Sequence, residues 1–287
     1  METTLLQSGK MDRPPGIEAL LRFLERHPRI TVLSGAGCST GSGIPDYRDE
    51  DGNWKHRQPM QFRDFVHDAG NRRRYWAQSF AGWRRVADAR PNAAHEALAR
   101  LERRGGVRCV ITQNVDDLHR RAGSRNVIDL HGVLGRVRCI DCDSILPRTT
   151  FQDTLAAMNP DWHADVTAFA PDGDASLDRG DPSGFRVPDC VRCGGVLKPD
   201  VVFFGESVPG ERVAAASGEI RRSDALLIIG SSLMVFSGYR FAQLASEAGK
   251  PIAIVNRGRT RADDLATCKI SGDCATLLAD AADALAV

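Results

Sequence analysis

Short apolar runs alternate with amphipathic segments along most of the chain, and this pattern predicts its secondary structure. Apolar residues recur at helical spacing over 17–24, which predicts an amphipathic helix. Since helical patterns separate several of the apolar runs, we expect an α/β fold in which helices cover a parallel sheet on both faces. The runs that predict strands are 29–34, 107–112, 127–130, 225–230 and 251–256.

Two segments interrupt this alternation. Residues 55–105 look helical and carry six of the 18 Phe, Trp and Tyr side chains, so they resemble a cap more than a strand–helix–strand unit. Residues 135–197 hold two pairs of cysteines and an irregular stretch rich in Gly, Asp and Pro, which indicates an insert. The predicted organisation is a sheet domain made from 1–54, 106–134 and 198–287, with a helical module at 55–105 and the insert at 135–197.

The charge of the chain is nearly balanced, with 38 Lys and Arg against 37 Asp and Glu among 287 residues. No global field therefore attracts nucleic acid or anionic lipid, and we predict neither partner. No apolar run approaches the ~20 residues that a membrane span requires, and the first residues lack the apolar core of a signal peptide. A cytoplasmic protein is expected, and the sequence does not fix its oligomeric state.

Two Cys-x-x-Cys pairs, Cys139 with Cys142 and Cys190 with Cys193, predict a metal site. They supply four thiolates for a tetrahedral site, which suits zinc. A catalytic zinc keeps one position open, whereas four cysteines close the coordination shell, so the pattern predicts a structural zinc. The length of the chain and the lack of a secretion signal favour reduced cysteines over disulfides.

A glycine-rich turn, Gly35 to Gly43, follows the first predicted strand. The dinucleotide fingerprint requires a third glycine where this chain has Thr40. Gly35 and Gly37 still permit a pyrophosphate to approach the backbone, and we expect a following helix N-terminus to favour its charge. The turn alone is equally compatible with a nucleotide site and with an ordinary connection. The polar loop at 44–49 then either folds over a cofactor or forms a surface connection.

Polar side chains follow four of the predicted strands, at the edge where open α/β sheets bind ligands. They are Thr112 to Asp116, His131, Ser231 with Ser232, and Asn256. Histidine titrates near neutral pH, so His131 is suited to act as a general base on a hydroxyl group. A lone histidine at a strand end is also compatible with a structural, hydrogen-bonded role.

Six motifs, in order along residues 29 to 275, resemble those of the sirtuin (Sir2) family. They are Gly35 to Arg48, Thr112 to Asp116, Leu130 to Gly132, the two cysteine pairs, Lys198 to Glu206, and Gly230 to Ser232. The resemblance covers nearly the whole chain. Further segments resemble class II of the family, which includes a mitochondrial sirtuin: Arg74 to Ala77, Gly82 with Trp83, Pro91 and Asn92 with His95, and Ser237 to Arg240.

The resemblance implies NAD-dependent removal of acyl groups from protein lysines, on a Rossmann-like domain with a small domain made of a zinc ribbon and a helical module. The acyl group would pass to ADP-ribose with release of nicotinamide, so NAD is consumed, and acylated proteins or peptides are the partners. His131 matches the general base, and Asn114 and Asp116 are the other implied catalytic residues. The implied cofactor-binding residues are Gly35, Ala36, Gly37, Cys38, Ser39, Thr40, Ile44, Pro45, Asp46, Tyr47, Arg48, Gln113, Asn114, Val115, Asp116, Gly230, Ser231, Ser232, Asn256, Arg257, Gly258 and Cys274.

The resemblance also implies a substrate side. The family counterpart of 201–205 pairs with an extended peptide, and main-chain pairing gives affinity with little demand on sequence. Relatives that favour acidic acyl groups carry Tyr-x-x-Arg where this chain has Tyr75 and Gln78. Because Gln78 offers no charge, we expect acetyl, hydrophobic or mixed acyl chains rather than succinyl. The expected substrate-binding residues are Val202, Phe203, Phe204, Gly205, Tyr75 and Gln78.

Three other functions are compatible with parts of this pattern. A protein mono-ADP-ribosyltransferase would use the same NAD site without an acyl-lysine channel. A docking module would need a basic, aromatic-rich face on the insert, whose segment between the cysteine pairs instead carries acidic clusters. A dehydrogenase would recycle the nicotinamide and would require the missing third glycine.

Overall fold

The computed structural model describes residues 16–55, 59–179 and 182–286. None of the helices in these ranges is long and apolar enough to cross a membrane. The α-helices are α1 Ile17–Arg26, α2 Phe62–His67, α3 Ala69–Asp88, α4 Ala93–Arg103, α5 Leu118–Arg121, α6 Arg148–Met158, α7 Gly210–Arg222, α8 Phe236–Glu247 and α9 Cys274–Ala284. The strands are β1 Ile30–Ser34, β2 Val107–Thr112, β3 Val127–Asp129, β4 Gly132–Cys139, β5 Ile145–Pro147, β6 Asp165–Phe169, β7 Ala175–Arg179, β8 Leu197–Val201, β9 Ala225–Ile229, β10 Ile252–Val255 and β11 Cys268–Ile270.

Within the described residues, the large sheet has six strands in the order β11-β10-β9-β1-β2-β3. Every neighbouring pair in it is parallel. This confirms the predicted α/β fold and the five predicted strands. The sequence pattern does not predict β11, because this edge strand has three residues with an exposed lysine at its centre.

Helices cover both faces of this sheet because successive residues of its strands point to opposite sides. Leu227 and Ile229 of β9 pack with α1, α4 and α9, whereas Leu226 and Ile228 pack with α7 and α8. All four side chains are fully buried, and burial of such a side chain contributes ~1.5–3 kcal/mol. The two helical layers therefore hold the strand ends, and the loops that follow them, in fixed positions.

Helix α4 packs on the large sheet, although the sequence places it in a helical module at 55–105. Its Ala94, Leu98 and Leu101 belong to the same buried cluster as residues of α1 and α9. Helices α2 and α3 instead share a separate buried cluster with β4 and β8. By side-chain packing, the helical module therefore ends after α3.

A smaller unit joins the insert to α2 and α3. In it, β4 pairs antiparallel with β5 and β8, while β6 and β7 form a separate hairpin. Trp76 of α3 is fully buried, and its Nε1–H donates to the carbonyl oxygen of Leu197 at 3.1 Å. The hairpin turn also packs on α3, where a Cβ at Gly82 would lie 2.0 Å from the carbonyl oxygen of Gly173. Glycine at position 82 is therefore required for this contact.

The glycine-rich turn does not lead into an α-helix, which corrects the predicted helix N-terminus. Two 3₁₀ turns follow β1, at Ala36–Cys38 and Thr40–Ser42. Gly43 then adopts a left-handed conformation with φ 81°, and Pro45 follows two residues later, so helical hydrogen bonding does not continue. A phosphate at this edge of the sheet would therefore meet the turn itself and not the end of a helix.

Candidate active site

The glycine-rich turn lies beside the loop that follows β9, because β2 and β9 flank β1 on opposite sides. The strand order reverses at this point, and open α/β sheets bind ligands there. The backbone N–H of Gly37 donates to the carbonyl oxygen of Gly230 at 2.8 Å. A Cβ at Gly35 would lie 2.7 Å from the Cβ of Ser231, so glycine at this position permits the two loops to touch.

A cleft of about 760 Å³ opens at this edge and extends from the large sheet to the smaller unit. Of the residues expected to bind NAD, Cys38 and Pro45 do not line it. Cys38 is buried in the core beneath the turn. The expected residues that do line the cleft are Gly35, Ala36, Gly37, Ser39, Thr40, Ile44, Asp46, Tyr47, Arg48, Gln113, Asn114, Val115, Asp116, Gly230, Ser231, Ser232, Asn256, Arg257, Gly258 and Cys274.

Ser39, Asn114 and Asp116 form one hydrogen-bond network at the end of β2. Ser39 Oγ donates to Asp116 Oδ2 at 2.7 Å, and Asn114 Nδ2 donates to Ser39 Oγ at 3.0 Å. Asn114 Nδ2 also donates to the carbonyl oxygen of Gly35 at 3.0 Å. Asp116 accepts a further bond from the backbone N–H of Leu118 at 2.9 Å, while burial raises the pKa of its carboxyl group. The network fixes the polar end of β2 against the glycine-rich turn.

The imidazole of His131 is held at both of its nitrogens. Nδ1 lies 2.9 Å from the carbonyl oxygen of Gln113, which can only accept, so Nδ1–H is the donor. Nε2 is therefore the acceptor, and it receives a hydrogen bond from Ser237 Oγ at 2.9 Å. Desolvation lowers the pKa of His131 to about 4, although its bond to Gln113 acts in the opposite direction. The ring is thus neutral near pH 7 and carries a basic lone pair at Nε2.

We predict that His95 and His131 contribute a decrease in the free energy of unfolding as the pH is lowered from 6.5 to about 4. Desolvation lowers the pKa values of His95 and His131 from 6.5 to about 4. In this pH range the unfolded chain binds a proton on each residue and the folded protein does not, so acid favours unfolding. Urea titrations between these pH values measure the loss. His131→Gln should make the pH dependence shallower, and a slope equal to that of the wild type would contradict the prediction.

The segment that follows the glycine-rich turn folds back on itself beside the cleft. The Arg48 guanidinium lies 4.0 Å from the centre of the Trp54 ring and donates to the carbonyl oxygen of Gly52 at 2.6 Å. Asp46 Oδ1 forms an ion pair with Lys55 Nζ at 2.7 Å. Trp54 and Lys55 also line the cleft, and no sequence motif indicates either residue. The residues before them are ordinary turn formers, so the pattern gives no sign that they return to the site.

Aromatic side chains line the end of the cleft nearest the smaller unit. The ring centres of Tyr75 and Phe203 lie 5.1 Å apart, and the Phe65 ring packs against both. Gln78, which the sequence pairs with Tyr75, does not line the cleft and lies on a partly exposed part of α3. Asp172 of the β6–β7 turn lines it instead. No sequence motif indicates Asp172, because the hairpin reaches the site through its packing on α3.

In the segment expected to pair with the substrate, 201–205, only Val201 belongs to a strand. Strand β8 ends at Val201, and the backbone N–H of Val202 donates to the carbonyl oxygen of His131 at 2.8 Å. Gly205 adopts a left-handed conformation with φ 79°, within a turn in which the backbone N–H of Glu206 donates to the carbonyl oxygen of Phe203 at 3.0 Å. All residues from 202 to 205 nevertheless line the cleft. The segment is therefore joined directly to the backbone of the candidate base.

The two cysteine pairs come together as the sequence predicts. Cys139 Sγ lies 3.5 Å from Cys193 Sγ, and Cys142 Sγ lies 3.8 Å from Cys190 Sγ. All four sulfur atoms lie within 4.8 Å of one another. Sulfurs bound to one tetrahedral zinc at ~2.3 Å would be about 3.8 Å apart. The donor set and its spacing therefore fit zinc, and none of these cysteines lines the cleft.

Comparison with known proteins gives consistent matches over this fold and site. The model described as Sir2 family matches residues 35–237, which include His131 and both cysteine pairs. NAD-dependent protein deacetylase 2 of Bradyrhizobium diazoefficiens is 56% identical over 266 residues, covering 93% of this chain and 97% of that protein. The mitochondrial NAD-dependent protein lipoamidase sirtuin-4 of Bos taurus is 46% identical over 268 residues, covering 92% of this chain and 85% of that protein. A solved structure described as Sir2-p53 peptide-NAD+ superposes with a TM-score of 0.76 at 29% identity, covering 94% of this chain and 98% of that one.

Proposed function

The chain belongs to the Sir2 family, and from this membership we propose that it is an NAD-dependent protein-lysine deacylase. The acyl group passes from a lysine side chain to ADP-ribose, and nicotinamide is released. The observation that carries the proposal is the position of His131. Its neutral imidazole lies in a cleft lined both by the glycine-rich turn and by the segment from Val202 to Gly205.

The protein binds and orients the reactants, while NAD supplies the bond that breaks, the glycosidic bond between nicotinamide and ribose. Glycine at positions 35 and 37 lets the turn pack against Gly230 and Ser231, which places its backbone in the lining of the cleft where a diphosphate would bind. Asn114 and Asp116 present polar groups at the nicotinamide end, and Ser39 holds both in place. Because these bonds exist before the cofactor binds, little reorganisation is needed during the reaction.

His131 is proposed to accept a proton at Nε2 from a ribose hydroxyl. The carbonyl oxygen of Gln113 selects the tautomer that leaves this nitrogen unprotonated. Desolvation keeps the ring neutral, so the lone pair is present at neutral pH. After proton transfer the ring is cationic, and its Nδ1–H bond to Gln113 becomes a stronger, charge-assisted bond. Gln113 thus orients the base and stabilises its protonated form.

We assign a structural role to the zinc. Cys139, Cys142, Cys190 and Cys193 would hold it, and four thiolates leave no open position for a substrate. When bound, the ion joins the end of β4 to the loop that leads into β8. These two strands continue towards His131 and Val202, so the ion stabilises the register that brings the base and the substrate segment together.

We propose class II membership and a preference for uncharged acyl chains. Tyr75 and Phe203 give this end of the cleft aromatic walls. Gln78 does not line the cleft and carries no charge, while Asp172 places a carboxyl group in the lining. A second carboxylate on a succinyl or glutaryl chain would be repelled there. The similarity to a protein named a lipoamidase makes a lipoyl chain one of the acyl groups to test.

The purified protein, given NAD and a panel of acyl-lysine peptides, is expected to release nicotinamide and O-acyl-ADP-ribose only when an acyl group is present. Acetyl, fatty or lipoyl peptides should react about tenfold faster or more than succinyl or glutaryl peptides, the ratio that one unfavourable contact of ~1.4 kcal/mol produces. Mass spectrometry of both products measures the rates.

Asp172→Asn is the matched variant for this prediction, since it removes the carboxylate and keeps the size of the side chain. It should narrow the difference between uncharged and acidic acyl groups. A preference for succinyl in the wild type would contradict the proposed acyl choice. Release of nicotinamide with ADP-ribose attached to protein, and no acyl transfer, would favour the ADP-ribosyltransferase alternative over the deacylase.

We further propose that substrate peptides pair with the main chain of 202–205, which gives affinity with little dependence on the sequence around the lysine. The position of this segment in the lining of the cleft supports the proposal. The cytoplasmic location stays a prediction.

A further inference from the structure

The hydroxyl of Ser237, in the first turn of α8, contacts the candidate base. Its Oγ lies 2.9 Å from His131 Nε2, and both residues line the cleft. Because Nδ1–H of His131 donates to Gln113, Nε2 bears the lone pair and Ser237 is the donor. The lone pair that would accept a substrate proton is therefore already occupied in the free protein.

The groups that hold the two ring nitrogens belong to elements in contact with each other. A Cβ at Gly238 would lie 2.3 Å from Gln113 Oε1, so α8 approaches the Gln113 side chain closely. Gln113 Nε2 donates to the carbonyl oxygen of Ser34 at 3.2 Å and to Ser231 Oγ at 2.8 Å. Gln113 and Ser237, which contact the two ring nitrogens of His131, thus lie on elements that pack against each other.

Ser237 has no capping role that would explain this placement. The N-cap residue of α8 is Val235, and no side chain makes a cap hydrogen bond there. The backbone N–H of Gly238 closes the first turn on the carbonyl oxygen of Val235 at 3.2 Å. The helix therefore begins without the Ser237 hydroxyl, which is directed to the imidazole instead.

We propose that Ser237 is a positioning residue for the general base, an inference that rests on the proposed deacylase function. Its hydroxyl holds the His131 ring in one orientation until a substrate hydroxyl replaces it at Nε2. In the transfer the substrate O–H bond breaks, the proton moves to Nε2, and the electron pair stays on the substrate oxygen. Ser237 keeps its own proton and turns so that Oγ accepts from the new Nε2–H. A serine suits this position because its hydroxyl both donates and accepts.

The first test uses the free protein without NAD and measures the ¹⁵N resonance of His131 Nε2. Its chemical shift reports whether the lone pair accepts a hydrogen bond. Ser237→Ala should move the resonance towards the value of an unbonded lone pair, and Ser237→Thr, which keeps the hydroxyl, should restore it. Identical Nε2 resonances in the wild type and Ser237→Ala would overturn the proposal.

The second test compares turnover with cofactor binding. Ser237→Ala should lower kcat about tenfold, as the loss of one hydrogen bond to the base implies, with an unchanged Kd for NAD and an unchanged Tm. Ser237→Thr should recover most of the rate. Ser246→Ala, an exposed serine near the other end of α8, is the matched control and should change none of these values.

Each outcome of the second test decides between positioning and a structural role. An unchanged kcat in Ser237→Ala, or parallel losses of kcat, NAD affinity and Tm, would overturn the proposal. A folded Ser237→Thr variant as slow as the alanine variant would do the same. A wild-type protein inactive on every acyl peptide would refute the deacylase function instead, and the resonance comparison would still decide whether Ser237 bonds to His131.

Discussion

His131→Ala is expected to lower kcat for deacylation by about 10²–10⁴-fold while the affinity for NAD changes little, since this is the usual contribution of a general base. The imidazole bonds to the backbone of Gln113 and to Ser237, not to the glycine-rich turn. Its removal therefore leaves the Ser39, Asn114 and Asp116 network unchanged. Product formation with an acyl peptide measures kcat, and calorimetry with NAD measures binding.

An exposed histidine, His163, supplies the control, because His163→Gln should alter neither quantity. Equal losses of turnover and NAD affinity in His131→Ala would show that residue 131 binds the cofactor or supports the fold. A variant that keeps the wild-type rate would exclude His131 as the base.

Removal of zinc is expected to unfold the smaller unit and to abolish deacylation. Structural zinc contributes ~10–16 kcal/mol of apparent folding free energy in small modules. A unit of this size cannot lose that much stability and stay folded. Cys139 is the last residue of β4, and β4 begins at Gly132, next to the candidate base. Loss of the metal is therefore expected to displace His131, because β4 connects this residue directly to a zinc ligand. Circular dichroism, protease sensitivity and activity after chelation, or in Cys193→Ser, measure the effect.

Cys268→Ser is the control for the zinc prediction, since this cysteine lies in β11, far along the chain from the two pairs. It should retain one zinc per chain and full activity, whereas Cys193→Ser should lose the metal. A chelated protein that is inactive but fully folded would indicate a catalytic metal. A zinc-free protein that is folded and active would refute the structural role.

The large sheet is predictable from the sequence because its strands are buried on both faces. Ala225 to Ile229 of β9 are five consecutive apolar residues, all fully buried, and the four residues of β10 are likewise apolar and fully buried. β11 lies at the edge of the sheet and contains an exposed lysine, so local composition does not mark it. The sequence also does not predict that α4 packs on the large sheet, because an apolar helix face is compatible with packing on either hydrophobic core.

The candidate site is predictable only where it lies at the ends of strands. Asn114 and Asp116 follow β2 and His131 follows β3, and parallel strands bring such residues to one edge. Asp172 and Ser237 enter through a hairpin turn and a helix start whose positions depend on tertiary packing. The helix expected after the glycine-rich turn fails for a local reason, because Gly43 and Pro45 stop helical hydrogen bonding there.

The pairing at the centre of the sheet has a consequence for synthesis on the ribosome. Ile30 of β1 is opposite Val107 on one side and opposite Ala225 on the other. The second neighbour of β1 thus emerges about 118 residues after the first, a delay of roughly 6–24 s at ordinary elongation rates. During this delay an apolar strand has an open edge, which is a template for aggregation. The nascent chain should therefore need protection by chaperones until β9 closes the sheet, while the zinc-binding residues are already available to fold.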